Sequence, residues 1–172
     1  MTAHDTKFEG KVWCLGDDIS TDLLSPGYYV HDPMDVRLHH VLEAVRPDFA
    51  SGVQVGDIVV AGKNFGCGSS RESAPQHLKD LGVAVVIAES FARIMARNAI
   101  AIGLPVVTCP GITPWVHDGD WITVDIREGE VVLPNEMHLT AERIPLQMLE
   151  VLAQGGIVPM LREIARQRGQ GA

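Results

Sequence analysis

The sequence has few cysteines and no long apolar run. Its three cysteines, Cys14, Cys67 and Cys109, lie far apart, which supports neither a disulfide framework nor a CxxC-type metal site. No segment approaches the roughly 20 consecutive apolar residues that a membrane-spanning helix needs. The first residues, MTAHDTKFEGKVW, carry mixed charge and lack the apolar core of a secretory signal. We therefore expect a cytoplasmic protein with no membrane partner.

Positive charge is also scarce, because 14 Lys and Arg stand against 22 Asp and Glu and the formal net charge is −8. A nucleic-acid surface needs clustered Lys and Arg, so this balance argues against a nucleic-acid partner. The one basic cluster, at 161–172, is predicted to decorate a terminal helix. The histidines on predicted helices have no second ligand at a suitable spacing, so no metal site is predicted in this chain.

The length and composition fit one globular domain. A chain of 172 residues with 46% hydrophobic side chains can bury one sizeable core. Neither an internal repeat nor a low-complexity linker marks a boundary inside the chain. We therefore expect a single domain over residues 1–172.

Short apolar runs alternate with segments of helical periodicity, which is the pattern of an α/β fold. Runs rich in Val and Ile predict strands at 11–16, 57–62, 83–88, 104–109, 121–126 and 130–133. Periodic segments predict helices at 36–45, 70–82, 90–103, 144–154 and 157–168. Ser90 is the predicted cap of the third helix and Gly103 its predicted end.

The order of these elements predicts a partly parallel sheet. Strands and helices alternate around the centre of the chain, which builds parallel βαβ units. The later strands are separated by the turn signals HDGDW and REGE, which predict an antiparallel pair. Two helices close the chain, divided by Gly155 and Gly156.

The segment AGKNFGCGSSRESA, at 61–74, carries the most chemical information. Gly66 and Gly68 allow a tight turn with unshielded backbone N–H groups, and the predicted helix points its positive end at the same place. Ser69 and Ser70 stand at the predicted helix start. Arg71 adds a charged fork suited to a carboxylate or phosphate. The segment predicts an anion-binding turn.

Other interpretations of this segment compete. The serines can simply cap a helix after a glycine turn. A phosphate-binding P-loop needs Gly-Lys-Ser or Gly-Lys-Thr at its end, but Lys63 precedes the glycines. A dinucleotide fingerprint would place its third glycine at Arg71. The G-x-S-x-G elbow of hydrolases is absent around Ser69.

Three segments, in the same order, resemble the signature blocks of the aconitase superfamily. GKNFGCGSSRESA is similar to its G-x-N-F-G-x-G-S-S-R-E loop, and DDISTDLLSP, at 17–26, is similar to its D-x-I-x-T-D-x-[IL]-x-P loop. VVIAESFARIMARNAIAIGLPVV, at 85–107, resembles the stretch that follows the serine loop in the family. The chain is closest in appearance to the small subunits of 3-isopropylmalate dehydratase.

The resemblance implies a swivelling β/β/α domain of the aconitase C-terminal type. It also implies that this chain is half of an enzyme whose large subunit holds a [4Fe–4S] cluster. In the family, the reaction is a stereospecific dehydration and rehydration of a hydroxy di- or tricarboxylate. The cluster acts there as a Lewis acid on the departing hydroxyl group.

The matching motifs also imply roles for individual residues. Ser69 corresponds to the base that removes the proton beside a carboxylate, and Arg71 to the substrate-carboxylate clamp, with Gly68 and Ser70 in the same anion-binding turn. Thr21 and Asp22 match the T-D pair that lines the site from the other loop. Asp22 either orients a protonated group of the large subunit or only forms a turn.

Substrate choice in the family is attributed to the loop after the T-D pair, here PGYYVHD at 26–32. An arginine there would hold a third carboxylate, whereas Val30 and His31 favour an apolar or small substituent. His31 can also be an ordinary solvent-facing histidine. Ser25 matches a serine of aconitases where many isopropylmalate enzymes have an apolar residue.

Isopropylmalate is therefore the expected substrate and leucine biosynthesis the expected pathway. Dimethylmalate, homocitrate and citrate are the alternatives within the family. A non-catalytic anion-binding module and a nucleotide-binding protein are the alternatives outside it.

Overall fold

The computed structural model describes residues 6–169, so the first five residues and the end of the basic cluster lie outside the described chain. Seven strands form one mixed sheet in the order β4-β3-β2-β1-β5-β6-β7. The strands are β1 (Lys7–Cys14), β2 (Ile58–Ala61), β3 (Val85–Ala88), β4 (Val106–Thr108), β5 (Trp121–Asp125), β6 (Glu130–Val132) and β7 (His138–Thr140). The predicted α/β class is confirmed.

Seven α-helices and two short 3-10 turns accompany the sheet within the described residues. The helices are α1 (Thr21–Leu24), α2 (Met34–His39), α3 (Phe49–Gly52), α4 (Ser73–Asp80), α5 (Arg93–Ala101), α6 (Leu146–Ala153) and α7 (Ile157–Gly169). The 3-10 turns are Gly27–Tyr29 and Thr113–Trp115. None of these helices is both long and apolar enough to cross a bilayer.

The central strands β1 to β4 run parallel, as the βαβ pattern predicts. Helix α4 connects β2 to β3, and α5 connects β3 to β4. Every residue of β2 and β3 is buried, because both faces of this part of the sheet are covered. Because β1 to β4 run parallel, the loops that follow these strands emerge at the same edge of the sheet.

The other half of the sheet is antiparallel, and β1 belongs to both halves. Residues Val12–Cys14 of β1 pair with β2, while residues Lys7–Lys11 pair with β5. The predicted antiparallel pair of β5 and β6 is confirmed, and β7 adds a further strand. Strand β7 and the first half of β1 were not predicted from the sequence, because both contain few apolar residues.

Helices α4 and α5 each begin three residues later than predicted. Helix α4 begins at Ser73, so Ser69 and Ser70 lie in the turn before it. Helix α5 begins at Arg93, and Ser90 does not cap it, because the Ser90 hydroxyl accepts the Asn64 N–H at 2.8 Å.

The ends of the helices follow local backbone geometry. Gly103, at φ +82°, ends the turn after α5 as predicted. Helix α2 ends at His39, well before the predicted residue 45, and Leu42 then adopts a left-handed φ of 61°. The two C-terminal helices are confirmed on either side of Gly155 and Gly156.

Hydrophobic side chains pack on both faces of the sheet. One cluster lies under helices α1 to α5 and includes Phe49, Phe65 and Met95. The other includes Ile122 and Leu152 and is closed by α6. Each face therefore has its own apolar layer.

One ionisable side chain, His77 of α4, is buried in the first of these layers at 1% exposure. Burial is the main cause that lowers the pKa of His77, and the charge of Arg37 lowers it further, against a smaller opposing effect of Asp80. The Leu24 backbone lies nearby, but neither ring nitrogen meets hydrogen-bond geometry with a described residue. The folded ring therefore binds a proton less readily than an exposed histidine does.

We expect the free energy of unfolding to decrease as the pH falls below about 6.5, because the unfolded His77 then binds a proton that the folded one does not. One such proton contributes a slope of at most about 1.4 kcal/mol per pH unit. Urea unfolding between pH 7.5 and 5 should show a weaker pH dependence in His77→Met. The control His31→Gln removes an exposed histidine that forms no ion pair within residues 6–169 and should keep the wild-type dependence. Identical profiles for wild type and His77→Met would contradict this account.

Candidate active site

The loops after β1 and β2 and the start of α5 enclose a cleft of about 310 Å³. Thr21 lines it from α1, and Gly66, Gly68, Ser69 and Arg71 line it from the glycine-rich loop. The first turn of α5 closes the opposite side, together with Asn98. The three segments that carry the resemblance thus meet at this cleft.

Backbone and side-chain hydrogen bonds join the first two loops. The Gly66 N–H donates to the Ile19 carbonyl at 2.7 Å, and the Thr21 N–H donates to the Cys67 carbonyl at 2.8 Å. The Thr21 hydroxyl donates to the Ser69 carbonyl at 2.9 Å. Thr21 is buried at 3% exposure, so its hydroxyl positions the backbone of Ser69.

Arg71 gathers three of the predicted site residues around its guanidinium group. Its Nη2 lies 2.6 Å from the Asp22 carboxylate, and its Nη1 donates to the Ser25 carbonyl at 2.7 Å. Its Nε donates to the Ser69 hydroxyl at 3.3 Å. Three of its five N–H groups are engaged in this way, which leaves two for a ligand.

Ser25 and Asp22 contribute mainly through Arg71. The Ser25 hydroxyl is paired with the Ser73 hydroxyl at 2.8 Å, and Ser25 is only 5% exposed. Asp22 keeps an exposed side chain, and its carboxylate forms an ion pair with the guanidinium group. Neither side chain is part of the cleft lining. Both therefore orient Arg71 in the free chain.

The helix that points at the cleft is α5, whereas the sequence analysis assigned this role to the helix after the serines. Helix α4 starts at Ser73, beyond the anion-binding turn. The first turn of α5 lines the cleft, and its N-cap residue Ala92 offers no side-chain acceptor for the first amides. A Cβ atom on Gly66 would overlap the Met95 side chain, so glycine allows this close approach.

Val30, His31 and Ser70 are exposed, and none of them lines the cleft. The loop that carries Val30 and His31 begins against the site, because a Cβ on Gly27 would lie 3.1 Å from the Arg71 Nη1. From there the 3-10 turn Gly27–Tyr29 leads into solvent. The structure thus places the root of the predicted specificity loop at Arg71 and its tip outside.

Two polar residues of the cleft, Arg93 and Asn98, were not predicted from the sequence. Both belong to the segment 85–107, which carried the resemblance, but no role was assigned to them. Their proximity depends on the crossover from β3 into α5, which brings the first turn of α5 beside the serine loop.

The cysteines do not form a ligand set for a metal cluster. The Cys14 thiol donates to the Val116 carbonyl and the Cys109 thiol to the Thr140 carbonyl, at 3.6 and 3.7 Å. Burial raises the pKa of both thiols to about 11, which disfavours the thiolate that a metal would bind. Within residues 6–169, no group of three His, Cys, Asp or Glu side chains is arranged to hold a metal ion.

Comparisons with known proteins agree with this geometry. The sequence profile of the aconitase C-terminal domain matches residues 41–110. The 3-isopropylmalate dehydratase small subunit 1 of Methanopyrus kandleri is 47% identical, over 89% of this chain and 91% of that protein. The methanogen homoaconitase small subunit of Methanothermobacter thermautotrophicus is also 47% identical, over 87% of each chain.

A solved structure shows the same fold over nearly the whole chain. The crystal structure of 3-isopropylmalate dehydratase from Methanocaldococcus jannaschii has a TM-score of 0.89 and 35% sequence identity. It covers 96% of this chain and 99% of that chain. The chain therefore belongs to the aconitase superfamily, in the family of 3-isopropylmalate dehydratase small subunits.

Proposed function

We propose that this chain is the small subunit of a hydro-lyase that interconverts 3-isopropylmalate and 2-isopropylmalate in leucine biosynthesis. The observation that carries the proposal is the pairing of Ser69 with Arg71 in a cleft suited to an anion. Within residues 6–169, the cleft lining includes two arginines and no carboxylate side chain. Relatives named as 3-isopropylmalate dehydratase small subunits support the choice of substrate.

Ser69 serves as the base that removes the proton beside a substrate carboxylate. A serine hydroxyl is a weak base unless its alkoxide is stabilised. The guanidinium group of Arg71, 3.3 Å from the hydroxyl oxygen, supplies positive charge at the right place. Unshielded amides of the glycine turn and of the first turn of α5 add further stabilisation.

Arg71 binds a substrate carboxylate with the two N–H groups that its internal contacts leave unused. Asp22 and the Ser25 carbonyl hold the guanidinium plane in place before the substrate arrives. Such preorganisation avoids reorientation of the side chain during binding and reaction. This arrangement assigns Asp22 a positioning role.

The large subunit completes the enzyme in this proposal. The family's [4Fe–4S] cluster supplies a Lewis acid for the departing hydroxyl group. Since the described residues of this chain do not form its ligand set, the large subunit would hold the cluster. The cleft therefore opens toward that subunit in the assembled enzyme.

The loop at 26–32 is the part of this chain proposed to recognise the substituent on the substrate, because it begins beside Arg71, while its tip lies outside the cleft of the chain alone. A relative named as a homoaconitase small subunit is as similar to this chain as a relative named for 3-isopropylmalate dehydratase, so overall identity does not choose between substrates. Val30 and His31 provide no permanent positive charge for a third carboxylate. This favours isopropylmalate over citrate or homocitrate.

The test is anaerobic co-expression with the large subunit from the same genome. The ultraviolet absorbance of the unsaturated product would be followed with isopropylmalate, dimethylmalate, citrate and homocitrate. We expect the highest kcat/KM with isopropylmalate. Ser69→Ala should lose about 10²- to 10⁴-fold in kcat, as expected for removal of a general base, while still assembling.

Ser51→Ala serves as the matched control, because Ser51 is exposed and lies outside the cleft. It should retain the wild-type rate. A normal rate in Ser69→Ala would remove Ser69 from its assigned role. Absence of turnover with every substrate, in a complex with an intact cluster, would contradict the proposed function.

His31→Arg tests the specificity loop. The new positive charge should raise kcat/KM for citrate and homocitrate relative to isopropylmalate by about 10-fold or more, because a charged hydrogen bond to the third carboxylate becomes available. His31→Gln is the neutral control and should keep the wild-type preference. An unchanged ratio in His31→Arg would show that this position does not contact the substituent.

A further inference from the structure

A second arginine, Arg93, lines the same cleft from the start of α5 and also borders the groove between α5 and α6. It is the first residue of α5 and lines the cleft together with Ser69 and Arg71. The Ala92 N–H donates to the Phe65 carbonyl at 2.9 Å, and Phe65 and Phe91 form a parallel bridge. These contacts hold the start of α5 against the glycine-rich loop.

The charge of Arg93 is available to a ligand, whereas that of Arg71 is largely committed. Arg71 is paired with Asp22 and also bonds Ser25 and Ser69. Within residues 6–169, no carboxylate forms an ion pair with Arg93, and its side chain is exposed at the cleft. Two guanidinium groups that line one cleft from different elements suit a ligand with two carboxylates.

We propose that Arg93 binds the second carboxylate of the substrate, while Arg71 binds the carboxylate beside the proton that Ser69 removes. This inference rests on the proposed function, whose substrate is a hydroxydicarboxylate. Two separate anchors fix both ends of the carbon chain, so that the proton to be removed faces Ser69. Ile94, next to Arg93 in the cleft lining, offers an apolar contact for the alkyl part.

Arg97 provides a matched control on the same helix. It lies one turn beyond Arg93 and is also exposed. Both arginines line the neighbouring groove between α5 and α6, but only Arg93 also lines the cleft. An effect of helix charge or of nonspecific attraction would appear in both variants. An effect of direct carboxylate binding would appear only at Arg93.

The experiment compares Arg93→Ala, Arg93→Lys and Arg97→Ala in the complex with the large subunit. Calorimetry would measure binding of succinate, a dicarboxylate, and butyrate, which lacks one carboxylate. In the wild-type complex, succinate should bind more tightly than butyrate. Arg93→Ala should weaken succinate binding by about 10- to 100-fold, leave butyrate within about 3-fold and so reduce their ratio. Arg93→Lys should be intermediate, and Arg97→Ala should keep the wild-type ratio.

Turnover gives an independent readout. Arg93→Ala should raise KM for the substrate more than it lowers kcat, because both ground state and transition state lose the second anchor. An unchanged ratio of succinate to butyrate affinity would overturn the proposal. Weaker assembly of Arg93→Ala with the large subunit, together with a normal KM once the large subunit is saturating, would also overturn the proposal, because Arg93 would then be a subunit contact. A wild-type complex that binds succinate but turns over no substrate would contradict the proposed function alone.

Discussion

The site depends on hydrogen bonds between two loops that continue beyond the ends of adjacent parallel strands. After β1 and β2 end, the backbone near Ser20 still runs beside that of Cys67 as a parallel bridge. The bonds from Gly66 to Ile19 and from Thr21 to Cys67 extend this pairing. Because the strands beneath are buried and rigid, the loops above them hold Ser69 and Arg71 in defined positions.

Electrostatics then divides the cleft into a prearranged part and an open part. The Asp22 carboxylate and the Ser25 carbonyl orient the Arg71 guanidinium group, which in turn donates to the Ser69 hydroxyl. The first turn of α5 forms another wall of the cleft. Arg93 has no ion-pair partner there in the described chain, and the N-cap residue Ala92 offers no side-chain acceptor to the first amides of the helix. A small anion entering the cleft completes interactions that the protein has left incomplete on that wall.

Sequence patterns predicted the parallel strands and the central motifs well, because runs of Val and Ile report burial directly. These patterns failed where tertiary contacts determine where a helix begins or which residues lie close together. Ser90 has the residue type of a helix cap, but its hydroxyl is taken by Asn64 and α5 begins three residues later. The motif identified Ser69 and Arg71, whereas the nearness of Arg93 depends on a helix crossover that no local pattern encodes. The exposed tip at His31 equally could not be placed from the sequence.

The division of β1 between the two halves of the sheet affects how the chain reaches its fold. Residues Lys7–Lys11 are synthesised before their partner strand β5, which follows more than 100 residues later. During that interval this half of β1 is an unpaired edge, the kind of surface on which strands of other chains can associate. Lys7, Glu9 and Lys11 point to the exposed side of the strand. Charged side chains on such an edge disfavour pairing with other chains, and the same residues concealed this half of the strand from sequence patterns.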